Sequence, residues 1–541
     1  IVQAQGGAIT GFKCVGTFIA PPSEAGDAWR REQLAAAMRK RLQPLDEIDA
    51  MEDSENETDV RQLRYNYLRR SFQLIPNYWM RTLPPRITQP VMATVVVPRF
   101  RQSLECLAAA HATPQEERDR WWFRAQLPTS MGGEGVGGHD AQCDAAYTAC
   151  VLACWPRLRA TSTCFALVPL LANIPMLRDF TQSFLQLVQL RDDIEATYTE
   201  FAKHPHHFIT GDKFKGYFRP QKLPKSLRTL HEMLNRENPS LPTAQRSFSL
   251  VRHHERWLQG RTAALAADEA CGDRRYPCTV TFISASQYGA GAWLDLAPDG
   301  TFGTKIESPK FEVMLERRGR LNIAMAEGTN DMLLAAGEEA DYKGDGMANK
   351  GEFNRRHNAT NRATHDYVRA AATGPVILGD KEKPHLTEAL NAGHVVDLAE
   401  ICGNDETGAD VLYETKVPMP VQKTRHGGRH RDGSGAPCDV GHLYGFGNTL
   451  ERYLVMVKGC LQRGGPSSGP YDHTTGKGRV SAAKGDYHDG LFNKRSTVVL
   501  NLVEALGGLS PTGASRLWRV ARRVQVKGAR DGTMYGRLRI S

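Results

Sequence analysis

The chain has 541 residues, 41% of them hydrophobic and 24% charged, with a mean hydropathy of −0.44. That length exceeds what one core usually serves, so two or three domains are expected; the composition excludes a disordered chain, and the most apolar run, Cys164 to Leu177, is too short and too interrupted by proline to cross a bilayer. The net charge of +9 is uneven: residues 421–541 hold 20 Lys and Arg against 8 Asp and Glu, while residues 1–420 sum to −3, so the carboxy-terminal quarter is the part expected to attract a polyanion.

The first residue is Ile1, and no basic stretch leads into an apolar core as in a secretory leader, which reads as a fragment or processed product. In chain order, Ile9 to Ala20 is strand-like and ends at Pro21-Pro22. Helices are expected from about Asp27 to Leu45, Asp59 to Ile75 and Met92 to His111. The acidic run with Glu47, Asp49, Glu52, Asp53 and Glu55 suggests an exposed linker or helix face. Leu127 to Gly138 is glycine-rich but lacks both the Lys-Ser/Thr ending of a phosphate loop and the strand-to-helix setting of a dinucleotide fingerprint, so a structural turn feeding a helix from about Asp140 to Cys154 is expected. Long helices continue to about Leu265.

From about Lys350 the pattern becomes α/β. A helix over Asn354 to Ala372 precedes a short strand, Pro375 to Leu378, then strands over His394 to Ile401 and Ala409 to Val417. A Gly, His and Arg-rich loop spans Gly427 to Gly441, followed by a helix near Asn448 to Leu461, a β-branched strand, Thr497 to Leu502, and a basic helix near Pro511 to Val524.

Chemistry concentrates in those strands. Alternation along Ala409 to Val417 groups Leu412, Glu414 and Lys416 on one face and Val411, Tyr413 and Val417 on the other. Asp397, on the preceding strand, can converge with them. The set Asp397, Glu414 and Lys416 has the spacing of the PD-(D/E)XK nuclease signature, although Val396 stands where the signature has proline. Two carboxylates would hold Mg²⁺ or Mn²⁺ against a scissile phosphate, and the lysine would position or help deprotonate the attacking water. A further upstream acid is sought in Glu382 or Asp366, neither well placed by sequence.

Other ligand-like sets are poorer. Asp341, Asp345, Gly346, Asn349 and Glu352 fit several positions of a calcium loop, but Lys343 replaces a ligand, and a plain acidic turn is expected. His426, His430, His442 and Cys438 match no common zinc spacing. Cys143, Cys150 and Cys154 recur as one helix face would place them; with no partner to complete a metal set, they are expected to be buried small hydrophobes among the eleven reduced thiols of an intracellular protein.

Several phrases together resemble one family. GFKCVGTFIA, LRYNYLRRSFQLIPNYWMRTLPP and LPTSMGGEGVGGHDAQCDAAYTAC are similar, in this order, to the end of the palm, the thumb helices and the connection of non-LTR retrotransposon reverse transcriptases. DYKGDGMANKGEFNRRHNATNRA resembles that family's entry to its restriction-like endonuclease, and VVDLAEICGNDETGADVLYETKV falls where the catalytic strands belong. YDHTTGKGRVSAAKGDYHDGL and VVLNLVEALGGLS resemble the closing segments of such elements.

The resemblance implies a multidomain chain: a mainly α-helical thumb and connection region followed by an α/β PD-(D/E)XK, restriction-endonuclease-like domain. The divisions expected are 1–125 for the end of the palm and thumb-like helices, 126–340 for the connection, and 341–541 for the nuclease with its basic tail. It implies a nuclear, intracellular protein that nicks genomic target DNA for target-primed reverse transcription, with element RNA as second partner and no membrane. Asp397 and Glu414 would bind the metal and Lys416 would assist the water. Arg356 and His357 match the family's Arg-His pair and would contact phosphate or support the site, while Arg516, Arg519, Arg522 and Arg523 would track the DNA backbone. The polymerase aspartates would precede Ile1, so no polymerase activity is expected of this chain. Gly346 and Lys350 stand where the family's zinc knuckle has other residues, so no zinc is expected there. An inactive nucleic-acid-binding remnant and a helical interaction scaffold are the rival functions.

Overall fold

The computed structural model of the chain describes residues 11–14, 16–53, 59–161, 175–202, 241–272, 277–286, 289–298, 305–323, 342–343, 352–372, 374–378, 397–403, 408–417, 496–503, 506–509 and 511–530. These are mostly helical, with one hairpin and one four-stranded sheet. They divide into two units: Ile1–Glu200 with Pro220–Ala266 and Gly291–Lys343, and Phe201–Arg219 with Ala267–Ala290 and Gly344–Ser541. No helix among the described residues is long and apolar enough to cross a membrane.

The first unit opens on an antiparallel hairpin, β1 (Phe12–Cys14) and β2 (Thr17–Ile19), where the sequence suggested one strand. Gly16, at φ +83°, supplies the reversal. Ser23 caps α1 (Glu24–Leu42), its hydroxyl accepting from the Gly26 N–H at 3.1 Å, and α1 carries acids in its first turn and basic residues in its last. Pro44 has no N–H to continue the ladder, so α1 ends just before it, and a further short helix, α2 (Leu45–Asp49), starts where the expected one stops.

Helices α3 (Val60–Arg70), α4 (Asn77–Thr82), α5 (Pro85–Val91), α6 (Val97–Leu107) and α7 (Gln115–Ala125) complete the first core, with a π turn at Met92–Val96 between α5 and α6. Leu34, Tyr65, Phe100, Trp121, Cys143 and Phe311 share that core, so residues on both sides of 125 build it. The acidic run is exposed at Glu47, Glu52 and Asp53, as its charge suggests, and two of its acids also act as anchors. Asp49 Oδ2 accepts from Arg99 Nη1 at 2.8 Å and Ser103 Oγ at 2.7 Å, and Asp53 Oδ1 accepts from the Val60 N–H at 3.2 Å and Ser308 Oγ at 2.6 Å.

The glycine-rich turn leads into α8 (His139–Thr161), which packs with α9 (Pro175–Ala202) and α10 (Leu241–Ala270) around Trp155, Phe180, Phe184 and Phe248. Of the three cysteines on α8, Cys143 is buried and Cys154 exposed. The Cys143 thiol donates to the His139 carbonyl at 3.1 Å, and burial pushes its pKa far above the ordinary thiol range, which keeps it a neutral core group. Helix α11 (Ser308–Gly319) closes this unit.

In the second unit, the helix Pro277–Ala285 has its first N–H groups satisfied from outside: Asp268 Oδ1 accepts from Cys278 at 2.9 Å and Oδ2 from Thr279 at 2.8 Å. Asp268→Ala is expected to lower stability by about 0.5 to 2 kcal/mol, the range for a lost helix cap, measured as a shifted urea midpoint at unchanged slope.

Helix α12 (Glu352–Ala371) then precedes β3 (Val376–Leu378), β4 (Leu398–Glu400), β5 (Val411–Lys416) and β6 (Thr497–Leu502), and α13 (Pro511–Arg530) follows. The sheet order is β3-β4-β5-β6; β3, β4 and β5 are antiparallel neighbours, and β6 runs parallel to β5 from Val411↔Thr497 to Lys416↔Leu502. Val368 and Ala371 of α12 and Val520 of α13 pack on the face formed by Leu378, Leu398, Val411, Tyr413 and Val499. The acid-and-lysine strand is thus internal to its sheet.

The loop Gly427–Gly441, the helix expected at Asn448 to Leu461, the calcium-like and zinc-like side-chain sets, and Glu382 lie outside the described residues.

Candidate nucleic-acid-processing site

The ladder between β4 and β5 pairs Leu398 with Tyr413. Continued by one residue, it sets Asp397 across from Glu414. At that point the chain bends, and Asp397 Oδ2 accepts from the Thr415 N–H at 2.7 Å, the residue between Glu414 and Lys416. The backbone of β5 gives Glu414 the register position of Leu500 and Lys416 that of Leu502. The side chains of Glu414 and Lys416 lie outside the described ones.

Helix α12 brings His357 to the same place. Its Nε2 lies 3.1 Å from Asp397 Oδ1 and 3.0 Å from the Thr415 carbonyl oxygen. Both are acceptors, so Nε2 carries the proton. On the other edge of the ring, Nδ1 is 3.4 Å from Asn361 Nδ2 and 3.3 Å from Asn358 Oδ1. A neutral ring accepts from Asn361, and a protonated ring donates to Asn358, so the imidazole keeps partners in either state. Thr364, one turn farther along, accepts from Asn501 Nδ2 at 3.2 Å, and the same nitrogen donates to Thr415 Oγ1 at 3.3 Å. The inward stripe of α12 therefore changes from polar at His357, Asn361 and Thr364 to apolar at Val368 and Ala371, and its polar half fixes the strand that carries Glu414 and Lys416.

Both Asp397 oxygens accept hydrogen bonds, which suits an ionised carboxylate, and a carboxylate is the hard oxygen donor that a divalent cation takes. The donor chemistry of Asp397 therefore fits a hard divalent ion. Among the described residues, no three His, Cys, Asp or Glu side chains gather as a metal set. Asp366 is exposed and bonds His365 Nδ1 at 3.0 Å.

Arg356 is partly exposed on α12. The four arginines of α13 divide. Arg519 and Arg522 are exposed. Arg516, 7% exposed, turns inward: its Nη2 reaches Glu400 Oε2 at 2.5 Å and the Gly403 carbonyl at 2.7 Å, and its Nε reaches Tyr413 Oη at 2.9 Å. Arg523 Nη1 donates to Glu400 Oε1 at 2.6 Å. The expectation that all four arginines track a DNA backbone is thereby corrected: Arg516 and Arg523 neutralise a buried carboxylate, and Arg519 and Arg522 retain an outward position.

Burial pushes the Tyr413 hydroxyl up to about 12, against the opposing effect of Arg516. Burial also works to lower the pKa of Arg516, but Tyr413 and Glu400 outweigh it and leave it raised. Glu400, Tyr413 and Asn501 were not singled out by sequence. Their signal is tertiary, because their partners lie 86 to 137 residues away, apart from the 13-residue link between Glu400 and Tyr413.

No family model, curated protein or solved structure matches this chain.

Proposed function

We propose that the second unit is a metal-dependent DNA endonuclease of the PD-(D/E)XK type, and that the chain is the carboxy-terminal part of a non-LTR retrotransposon reverse transcriptase that nicks genomic target DNA for target-primed reverse transcription in the nucleus. The observation that carries the reading is the 2.7 Å bond from the Thr415 N–H to Asp397, which ties one acid of the signature to the backbone between the other two members. An internal strand preceded by a helix and two antiparallel strands is a rigid support for such a set.

Asp397 and Glu414 would hold Mg²⁺ or Mn²⁺, which supplies Lewis acidity at a scissile phosphate when bound. His357 orients the Asp397 carboxylate through Oδ1 and is a positioning residue. Lys416 would hold the attacking water and offset developing negative charge. Arg519 and Arg522 would meet DNA phosphates, with element RNA as a second polyanion.

A second reading, a non-cleaving remnant that binds nucleic acid, is favoured by one observation: both Asp397 oxygens are already engaged by the protein. Nicking of supercoiled DNA in Mg²⁺ separates the two. The chain is expected to nick, and Lys416→Ala to slow nicking by about 100-fold or more, since removing a supporting group alone costs about 10- to 100-fold. Equal rates in the two proteins would remove the nuclease assignment, and salt-dependent binding without nicking would establish the remnant.

A further inference from the structure

The first unit contains a cavity of about 570 Å³ that the nuclease reading does not use. Its floor is the glycine-rich turn and the first turn of α8, with Gly135, Gly137, Gly138, His139 and Gln142; its walls include Arg69 and Gln73 near the end of α3 and Ser249, Arg252, His253 and Arg256 of α10. Gln73 pins the floor by exchanging two bonds with Gly137, Nε2 to the carbonyl at 2.8 Å and Oε1 from the N–H at 2.9 Å.

Glycine is required where the arginines approach. At Gly135 (φ +70°) a Cβ would stand 2.9 Å from Arg69 Nε, and at Gly138 (φ +76°) 3.3 Å from Arg256 Nη1. The turn thus holds bare backbone against two guanidinium groups. Arg256 is poorly neutralised: Gln126 Oε1 accepts from it at 2.6 Å, but of its two carboxylate neighbours Asp140 is 3.9 Å away and Glu255 bonds Arg252. Arg69 pairs with Asp295, the acid among the lining residues, and Arg252 with Asp144 and Glu255. Burial, then His254 and Arg256, push His253 down to about 3, as expected of a buried ring beside a cation.

A second observation points to a ligand. His139 is 3% exposed, and its Nε2, 3.0 Å from the Gln73 carbonyl, must be the donor. Its Nδ1 is then a bare acceptor, and among the described residues it has no partner; neither has Gln142 Oε1. Unpartnered acceptors beside the poorly neutralised Arg256 suit a ligand that brings both an anion and hydroxyl donors.

We propose that this cavity binds a phosphate monoester of a sugar, with the phosphate between Arg256, Arg69 and the N–H groups opening α8, and sugar hydroxyls donating to His139 and Gln142. The N-terminus of a 23-residue helix adds its dipole to the attraction. A free nucleotide and the 5′-phosphate end of a nucleic-acid strand present the same chemistry. The site stands apart from the nuclease reading and does not depend on it.

The test is calorimetric titration of the full chain with adenosine 5′-monophosphate and with adenosine. The monophosphate is expected to bind one per chain and adenosine about tenfold or more weakly. Arg256→Gln should weaken the monophosphate by about tenfold. Ser249→Asp, at a half-buried wall position, should do the same by repulsion, and it covers the case in which loss of Arg256 loosens the fold. A 5′-phosphorylated pentanucleotide that outcompetes both the monophosphate and its 5′-hydroxyl form identifies the strand end; its failure to compete identifies the free nucleotide. No binding of the monophosphate at millimolar concentration, equal affinity for adenosine, or unchanged affinity in either folded variant overturns the proposal.

Discussion

Glu400→Ala is expected to destabilise the strand-bearing unit by about 3 to 5 kcal/mol, the cost of removing one partner from a buried ion pair. Glu400 is 1% exposed and takes Arg516 on one oxygen and Arg523 on the other, with Tyr413 Oη 3.1 Å from Oε2. Without it, two guanidinium groups and a tyrosine hydroxyl lose this acceptor, with Arg516 and Tyr413 themselves buried. Glu400→Gln should fare little better, since the amide lacks the charge and one of its two arms is a donor facing another donor. Domains are stable by only about 5 to 15 kcal/mol in total, so the loss is large. Hydrogen exchange at the amides of Val411–Lys416 reads it directly, as protection lost relative to the parent chain. The double variant Glu400→Leu, Arg516→Leu should recover part of the loss, because the expense lies in the stranded charge and not in the missing bond. Exchange unchanged in Glu400→Ala would show that the network contributes nothing to stability.

Why sequence reasoning sent Arg516 and Arg523 outward follows from the same network. A helix with arginines at 516, 519, 522 and 523 reads as a solvated basic face, and the carboxylate that buries two of them is more than 100 residues away in the chain. A periodic signal was nonetheless present. Positions 516, 520 and 523 share one helical face, Val520 on that face is fully buried, and the arginines flanking it must go inward with it. The same arithmetic along α12 joins His357 to Asn361, Thr364, Val368 and Ala371, which marks His357 as inward-facing before any partner is known.

Strands were legible where side-chain type and period agreed. Thr497–Leu502 is a β-branched run and forms β6 over those residues; Val411–Lys416 alternates and forms β5. Failures were local conformational events. Gly16 turned one expected strand into a hairpin, and Pro44 ended one expected helix slightly early, with a short further helix after it. The acidic run faces solvent at Glu47, Glu52 and Asp53, as charge density suggests; what its charge does not carry is that Asp49 and Asp53 also take donors from other helices. For the candidate site, sequence supplied the residue types and the strand alternation, but not that Asp397 is held by Thr415 and His357.

That holding makes Asp397→Asn the most informative single substitution at the site. The carboxylate faces two donors, the Thr415 N–H at Oδ2 and His357 Nε2–H at Oδ1. An asparagine of the same shape has one acceptor and one donor arm, so either Thr415 or His357 meets an NH₂ group. The imidazole cannot relieve this by moving its proton, because Nε2 must also donate to the Thr415 carbonyl. A donor left opposite a donor in a part-buried site costs about 1 to 3 kcal/mol, and that is the expected loss of stability in urea. If the carboxylate also holds the cation, nicking should fall by more than the about 100-fold typical of groups that act through a ligand. His357→Gln should fall within that 100-fold range, since its amide can still donate to Oδ1. The order Asp397→Asn far below His357→Gln, with both proteins folded, is what a metal ligand and its positioning residue require. Equal nicking by all three chains would leave Asp397 as a structural anchor for β5, bonded to Thr415 for the sake of the fold.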